Sequence, residues 1–438
     1  MADHLQSAPL LPRRKPGRSQ SNSQSTYDDL CSFRLCLRLL CLYQNSGSGG
    51  GVGIWRTLTS WVLFLIFSII VPAISHFLLS YSPTRRSFDT IVELSLTAAS
   101  TLSYLTLSRF IRRYGLRRFL ALDKVHSESD RIRLGYTTQL NRSFRLLSLF
   151  VAPCFLLESI YKIWWYCTGA GRIPIIGSSV AIDTAACALE LASWMYRTGL
   201  MFLVCVMFRL TCYLQILRLQ EFAGVFEEES DVELVLSEHL RIRRQLKIIS
   251  HRFRGFIVCF LVLVTASQFA ALFLTTRPRS DVNFFNAGEL ALCSVGLVSG
   301  LLICLRSAAK ITHQAQAITS HAAKWHVCAT IESFETDPET PQNQISNVSS
   351  IHDIGGQESE DDDCCDEDDD VLDSTKLVQP HAHTISFQKR QALVTYLENN
   401  KAGITVFGFV LDRAWLHTIF MVQLTLFLWV LGKTIGIS

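Results

Sequence analysis

Six ionisable side chains interrupt segments of this sequence that are otherwise apolar. A charged group inside an apolar, membrane-length segment costs free energy, so such residues usually pair with one another or face a substrate, ion or ligand path. Tryptophan and tyrosine side chains crowd the same level, Trp165 and Trp194 among them. The four acids and two bases are Glu93, Glu158, Lys162, Glu190, Arg197 and Glu289. Together these residues predict a ligand pocket with polar anchors on apolar walls.

The same residues have a structural interpretation that the sequence leaves open. Glu158 with Arg197, or Glu190 with Lys162, would form interhelical ion pairs. Tryptophan and tyrosine at this depth also form the ordinary interfacial belt of a membrane protein.

A second candidate site lies on the last apolar segment, 413–437. At 100° per residue, three small or polar residues fall on one stripe, and larger residues flank them. The stripe consists of Thr418, Thr425 and Gly432, with Val422, Trp429 and Gly436 beside it. Such a stripe indicates either close packing against another helix or the lining of a water path.

The composition shows what positions these residues. Hydrophobic residues make up 49% of the 438-residue chain and charged residues only 18%, where about 25% is usual for soluble proteins. About 20 apolar residues cross a bilayer as a helix. We therefore predict an all-α, seven-transmembrane protein whose immediate partner is the lipid bilayer. The predicted spans are 59–80, 87–109, 144–167, one within 180–214, 255–275, 285–307 and 413–437.

The distribution of lysine and arginine predicts the orientation. Seven lie between Arg13 and Arg56, ten between Arg109 and Arg145, and seven in 218–254, whereas the alternate connections hold few. Positive residues are enriched in cytoplasmic loops, so we expect the N-terminus in the cytosol and the C-terminus outside. That arrangement argues against the seven-helix G-protein-coupled receptors, whose N-terminus is outside.

The chain divides into four predicted regions. Residues 1–54 form a disordered basic cytosolic arm, and 55–310 hold the first six spans. Residues 311–384 form a cytosolic loop whose acidic run, ESEDDDCCDEDDD, is expected to be disordered. Residues 385–438 form a cytosolic helix and the seventh span. The fourth span is expected to continue as a helix much longer than a bilayer requires.

The sequence offers little support for an enzyme. Metalloprotease His-Glu-x-x-His, Gly-rich phosphate-loop and Gly-x-Ser-x-Gly patterns do not occur in it. We predict no metal site, no cofactor and no nucleic-acid partner. Cys167 and Cys187 flank the connection between the third and fourth spans, where they would form a disulfide if their separation allowed it.

The segment 402–433 resembles the end of the insect gustatory and odorant receptor superfamily. Gly408 and Phe409 match its Gly-Phe pair, Asp412 matches its acid or amide, and Thr425 falls where its Thr-Tyr is expected. The sequence departs from the pattern at Leu426, Gly432 and Lys433. Over about residues 55–438 the chain is similar to the gustatory-receptor-like proteins of land plants, down to the ending LWVLGKTIGI.

The resemblance implies a homotetramer of seven-helix ion-channel subunits with an outward-facing pocket for a small-molecule ligand. The seventh helices would surround a central pore, and the pocket would lie between the second, third, fourth and sixth helices. Four lysines at the outer mouth would repel cations or favour anions. The implied pore residues are Thr418, Val422, Thr425, Trp429, Gly432 and Lys433.

Two functions follow as hypotheses. The first is a ligand-gated ion channel or chemoreceptor-like membrane protein. The second is a non-channel membrane scaffold or signalling protein that acts through its cytosolic loops. A transporter would show inverted repeats, which the sequence lacks. The plasma membrane is the expected location, with the vacuolar or another endomembrane as the alternative.

Overall fold

The computed structural model of the protein describes residues 50–80, 88–114, 130–167, 180–225, 232–276, 284–335, 387–400 and 402–435. The predicted acidic run and most of the basic arm lie outside these residues. Within them, the chain is almost entirely helical, as predicted. The helices are α1 (Gly50–Leu65), α2 (Val71–Ser80), α3 (Asp89–Tyr114), α4 (Asp130–Cys167), α5 (Val180–Val225), α6 (Val232–Thr275), α7 (Phe284–Glu335), α8 (Phe387–Asn399) and α9 (Arg413–Ile435).

Six of the seven predicted spans coincide with helices that are long and apolar enough to cross a membrane. These stretches are Thr57–Phe77, Leu134–Cys167, Ala181–Gly224, Val232–Thr275, Gly288–Cys328 and Arg413–Gly432. The remaining predicted span falls on α3, which is 26 residues long but much less apolar. Seven spans therefore remain a prediction, in which α3 is the polar member.

Serine side chains explain the low hydropathy of α3. Ser95, Ser100 and Ser103 are buried. The Ser95 hydroxyl is 2.8 Å from that of Ser267 on α6, and Ser100 bonds Ser68 next to α1. A buried hydroxyl with a protein partner avoids most of the cost of leaving water. Ser95 and Ser100 therefore place polar groups of α3 where it meets other helices, while Leu94 and Leu105 are exposed.

The first helix changes its winding between α1 and α2. Ile66–Ile70 form a π-helical turn, which leaves backbone carbonyls without their usual partners in the helix. The hydroxyl of Ser193 on α5 donates to the Phe67 carbonyl at 2.6 Å. Thr97 of α3 donates to the Ser68 carbonyl at 3.2 Å. Two other helices therefore supply hydrogen bonds to this turn.

Several helices are longer than the spans that they contain. The 46 residues of α5 confirm the expectation of a helix longer than a bilayer. The 52 residues of α7 continue to Glu335, so the predicted loop 311–384 begins as a helix rather than as a loop. Buried Ile311, Ala315, Ile318 and Ala322 give this extension an apolar face. Helix α1 likewise begins at Gly50, inside the predicted arm.

Helix α5 lies at the centre of the packing. Ten of the eleven residues from Leu200 to Leu210 are buried, all except Arg209. One face of α5 carries Val206, Leu210 and Leu214, which pack against Ile132 and Tyr136 of α4. A helix that is apolar on all sides is expected in the interior of a bundle.

A short β-hairpin, which the sequence did not predict, precedes α9. Strand β1 (Thr405–Val406) pairs with β2 (Phe409–Val410) in antiparallel register, with Val406 opposite Phe409. Phe407 and Gly408 form the turn with φ of 49° and 91°. Positive φ at both central positions is typical of the two-residue turns that join twisted strands. The Gly-Phe pair of the sequence motif therefore forms part of a tight turn.

The chain divides into two compact units. The first contains residues 1–217, 244–313 and 403–438, and the second contains 218–243 and 314–402. In the second unit, His239 of α6 packs edge-on against Tyr396 of α8 at 5.7 Å between ring centroids. His239 lies in the polar first half of α6, before the predicted span 255–275. Burial, with a smaller effect of Arg243, lowers the pKa of His239 to about 4.

Candidate functional site

Lys162 is the centre of a buried cluster of charges. Its Nζ lies 2.7 Å from Glu289 Oε1 on α7 and 3.0 Å from Glu190 Oε2 on α5. Glu158, one turn earlier on α4, is 4.0 Å away. Lys162 is only 7% exposed, so its charge is tolerable there because carboxylates surround it. The ion pair between Glu190 and Lys162, one of the two pairs suggested from the sequence, is present.

Arg197 forms a second pair beside the first. It contacts Glu93 of α3 through two guanidinium nitrogens, the longer contact measuring 3.3 Å. Its third polar contact is Thr97 at 3.4 Å. Arg197 is 3% exposed, and a two-pronged bond to a carboxylate suits the planar geometry of the guanidinium. Arg197 is thus paired with Glu93 rather than with Glu158, the partner that the sequence suggested.

The two pairs belong to one neighbourhood. The thiol of Cys293 on α7 is within electrostatic range of Arg197, Glu93, Glu158 and Glu289. All six charged residues predicted from the sequence therefore come together at four helices. Four carboxylates against two cations leave the cluster with an excess of acid.

Two hydrogen bonds of this cluster were not predicted. Ser75 of α2 and Tyr166 of α4 both donate to Glu190 Oε1, the second at 3.1 Å. Tyr166 stands among the aromatic residues that the sequence placed at this level. The sequence did not indicate Ser75 as a partner, because one serine in an apolar helix usually bonds its own backbone.

The two predicted wall residues differ in exposure. Trp194 is buried, with its ring 6.2 Å from Phe155, whereas Trp165 is half-buried. Trp164 next to it is exposed, as an interfacial residue would be. Cys167 and Cys187 are both free thiols, so the disulfide that the sequence suggested is not formed.

The lysine of this cluster is already engaged by carboxylates. Lys162 is shared by three carboxylates, so an incoming polar group would compete for ion pairs that already exist. Among the described residues, no group of three or more His, Cys, Asp or Glu side chains has the arrangement of a metal site.

Helix α9 presents two different faces. Gln423 and Val430, seven residues apart, are buried against the same subunit. The predicted stripe points the other way. Its members Thr418 and Thr425 are exposed and Gly432 is half-buried, and Val422 and Trp429 beside it are exposed. The side chain of Lys433 lies outside the described residues.

Neither exposed threonine on this face has an unsatisfied hydroxyl. Thr418 donates to the Ala414 carbonyl at 3.0 Å and Thr425 to the Met421 carbonyl at 2.8 Å. These bonds lie within the helix, as is common for threonine. The face is therefore compatible with lipid, with another helix or with water.

Comparison with known proteins places the sequence in a family. A family model described as "Protein of unknown function (DUF3537)" matches residues 28–422. The chain belongs to the DUF3537 family. No curated protein sequence matches this DUF3537 chain.

Solved structures reveal what the DUF3537 fold resembles. It is similar to the insect olfactory receptor OR5 from Machilis hrabei in complex with eugenol, with a TM-score of 0.55 and 12% identity. The match covers 93% of this chain and 99% of the receptor. A second structure of that receptor gives a TM-score of 0.54 and 11% identity over 92% and 99% of the two chains.

These matches confirm the predicted fold. The DUF3537 chain is an all-α integral membrane protein with the fold of the insect olfactory receptors. At such low identity the likeness concerns the fold alone. The narrower similarity to land-plant proteins stays a prediction, as does the orientation of the termini.

Proposed function

We propose that this protein is a chemoreceptor-like, ligand-gated ion channel. Its fold is shared with a receptor that was solved with a small molecule, eugenol. Its buried face carries a polar cluster at the ends of four helices, and its last helix carries an exposed, partly polar face. A ligand-gated channel requires a ligand-binding site and a conduction path.

The two faces of α9 carry this proposal. Gln423 and Val430 fix the helix to its own subunit, which turns Thr418 and Thr425 away from that subunit. In a homotetramer, four such faces would meet at one axis. Thr418, Val422, Thr425 and Trp429 would then line the pore, with Gly432 and Lys433 at its end. A ring of four lysines would disfavour cations at that mouth.

The charge cluster is the proposed ligand site. Lys162, Glu190 and Glu289 join α4, α5 and α7, and Ser75 adds α2. A ligand that binds one of these groups more strongly in one arrangement of the helices would shift the protein toward that arrangement. The other proposed contacts are Glu93, Glu158, Trp165, Trp194 and Arg197.

Electrical recording and imaging of the purified full-length chain test the proposal together. We expect tetrameric particles with α9 at the axis and current across a planar bilayer, with eugenol as the first probe and a panel of small amines and phenols next. Thr425→Trp should block the current. Leu156→Trp, on the exposed apolar face of α4, should leave it unchanged. Monomeric particles with no current under any of these compounds would contradict the proposal.

A membrane scaffold is the second candidate, favoured by a polar groove on α8. This open groove of about 550 Å³ is lined by Gln388, Gln391, Ala392, Thr395, Tyr396, Asn399 and Asn400. Exposed amides suit a polar protein partner. The scaffold hypothesis predicts a closed, dry particle centre, and loss of a bound partner when the acidic run 358–370 is deleted.

A further inference from the structure

Gln268 of α6 is a buried amide without a protein partner. It is 0% exposed. Neither its Nε2 nor its Oε1 has a hydrogen-bond partner in the part of the chain that the structure describes. A glutamine amide has two donor hydrogens and two acceptor lone pairs, and a buried unsatisfied polar group costs about 1–3 kcal/mol. Gln268 lies within the predicted fifth span, where lipid offers no replacement.

Gln423 of α9 is the second incomplete amide. It is 1% exposed, and its Nε2 donates to Thr265 Oγ1 at 2.9 Å. Its Oε1 has no partner among the described residues. The orientation of this amide follows from Thr265, whose own hydrogen goes to the Leu261 carbonyl at 2.8 Å. Thr265 can therefore only accept from Gln423, which leaves the Gln423 oxygen free.

Gln268 lies one helical turn from the residue that Gln423 bonds. Thr265 and Gln268 are three residues apart on α6, so they are neighbours along the helix, about 5–6 Å apart at Cβ. Gln423 donates to Thr265 directly. The position that Gln423 reaches on α6 is therefore next to that of Gln268.

We propose that Gln268 and Gln423 together hold a buried water site that joins α9 to α6. A water molecule accepts a hydrogen bond from Gln268 Nε2 and donates one to Gln423 Oε1, which gives a partner to one unsatisfied atom of each amide. Buried waters typically make about three hydrogen bonds to polar groups that would otherwise be unsatisfied. This inference concerns the attachment of α9 and holds whether or not the protein conducts ions.

A double-mutant cycle on the full-length protein in nanodiscs tests the shared site. Gln268→Leu and Gln423→Leu each remove one of the two amides that hydrogen-bond the bridging water. Each variant should therefore melt roughly 3 °C lower than the wild type. The double variant should melt no lower than the worse single variant, because the amide removed by the second substitution has already lost its hydrogen bond to the water. Additive effects, or a Gln268→Leu variant that melts higher than the wild type, would overturn the proposal.

Gln215 of α5 provides a matched control. It is also buried, and its Oε1 lacks a partner among the described residues, but it lies on a different helix. Gln215→Leu should add to Gln423→Leu without coupling. Coupling as strong as that of Gln268 would mean that the cycle reports general packing, and would overturn the proposal.

Direct imaging covers the case in which a variant does not fold. A density map of the wild-type protein that resolves ordered water should show a peak within hydrogen-bond distance of both the Gln268 and Gln423 amides. A direct contact between the two amides, or a dry gap, would contradict the water site.

Discussion

Helices α4 and α9 are equally exposed but differ in what they expose. In each, 11% of the most apolar stretch is buried inside the subunit. The exposed face of α4 in its predicted span is apolar after Ser148, with Leu149, Leu156, Leu157 and Ile160. That of α9 includes Thr418 and Thr425. The apolar face of α4 suits lipid tails, whereas the face of α9 is also suited to water or to another subunit.

The buried faces of the two helices differ as well. Helix α4 is attached through a lysine surrounded by carboxylates, and α9 through an amide and an apolar side chain. Breaking a buried ion pair costs more than breaking a neutral hydrogen bond. We therefore expect α4 to be the firmly held helix and α9 the one that can move.

The largest expected effect is on α4. Lys162→Met leaves Glu158, Glu190 and Glu289 buried without their cation, and should lower the free energy of unfolding by about 3–5 kcal/mol. A thiol-reactive dye can follow unfolding, because Cys205, Cys212, Cys293 and Cys304 are buried. Ile163→Met, one residue along and exposed, should change little. A Lys162→Met protein as stable as the wild type would show that the ion pairs do not hold α4.

The free energy of unfolding of the protein should also depend on pH through His239 of α6. Its folded-state pKa of about 4 lies below the ordinary value of 6.5, so only the unfolded chain takes up this proton between these values. Its contribution is present above pH 6.5, declines as the pH falls, and is lost below about pH 4, a loss of up to about 3 kcal/mol. In denaturant titrations at pH 7.5 and 4.5, His239→Phe should reduce this dependence. An unchanged pH dependence in His239→Phe would show that this histidine is not its source.

The hairpin before α9 gives a smaller effect. Gly408 has φ of +91° and open space around its Cα, so Gly408→Ala adds backbone strain without a steric clash. We expect a loss of about 1–2 kcal/mol. Gly199→Ala on α5, also in open space, should be neutral or slightly stabilising because alanine favours helix. Equal melting of both variants would mean that the turn conformation is not required.

The smallest expected effect on stability comes from a threonine on the exposed face of α9, and its effect on conductance distinguishes this face from that of α4. Thr425→Val should change the free energy of unfolding by less than about 0.5 kcal/mol, because the lost hydroxyl bonded only its own helix. It should nevertheless change the single-channel conductance. Thr138 on α4 is also exposed and bonds the Leu134 carbonyl at 2.9 Å, so Thr138→Val is the matched control. Equal conductance of both variants would place Thr425 away from the pore.

Much of the fold could be predicted, because hydropathy depends on composition and not on contacts. The spans, the long α5 and the grouping of the six charges all follow from where apolar runs begin and end. The helical start of the 311–384 region was missed because its small and polar residues lack the hydropathy of a span. The turn at Phe407 was missed because a lone Gly-Phe pair has many conformations. Partners such as Ser75 depend on helix rotation, which the sequence does not fix.

The π turn at Ile66–Ile70 has a consequence for insertions and deletions. Such a turn holds one residue more than the α-helix would, so removing one residue there would restore regular winding. Because the turn already absorbs that extra residue, the residues after it would keep their faces, whereas a deletion in regular helix turns everything after it by about 100°. A deletion at the turn would therefore keep both the hydrogen bond of Ser60 to Tyr104 and that of Ser75 to Glu190. The same deletion in α2, before Ser75, would disconnect the charge cluster from the first helix without altering any residue in the cluster.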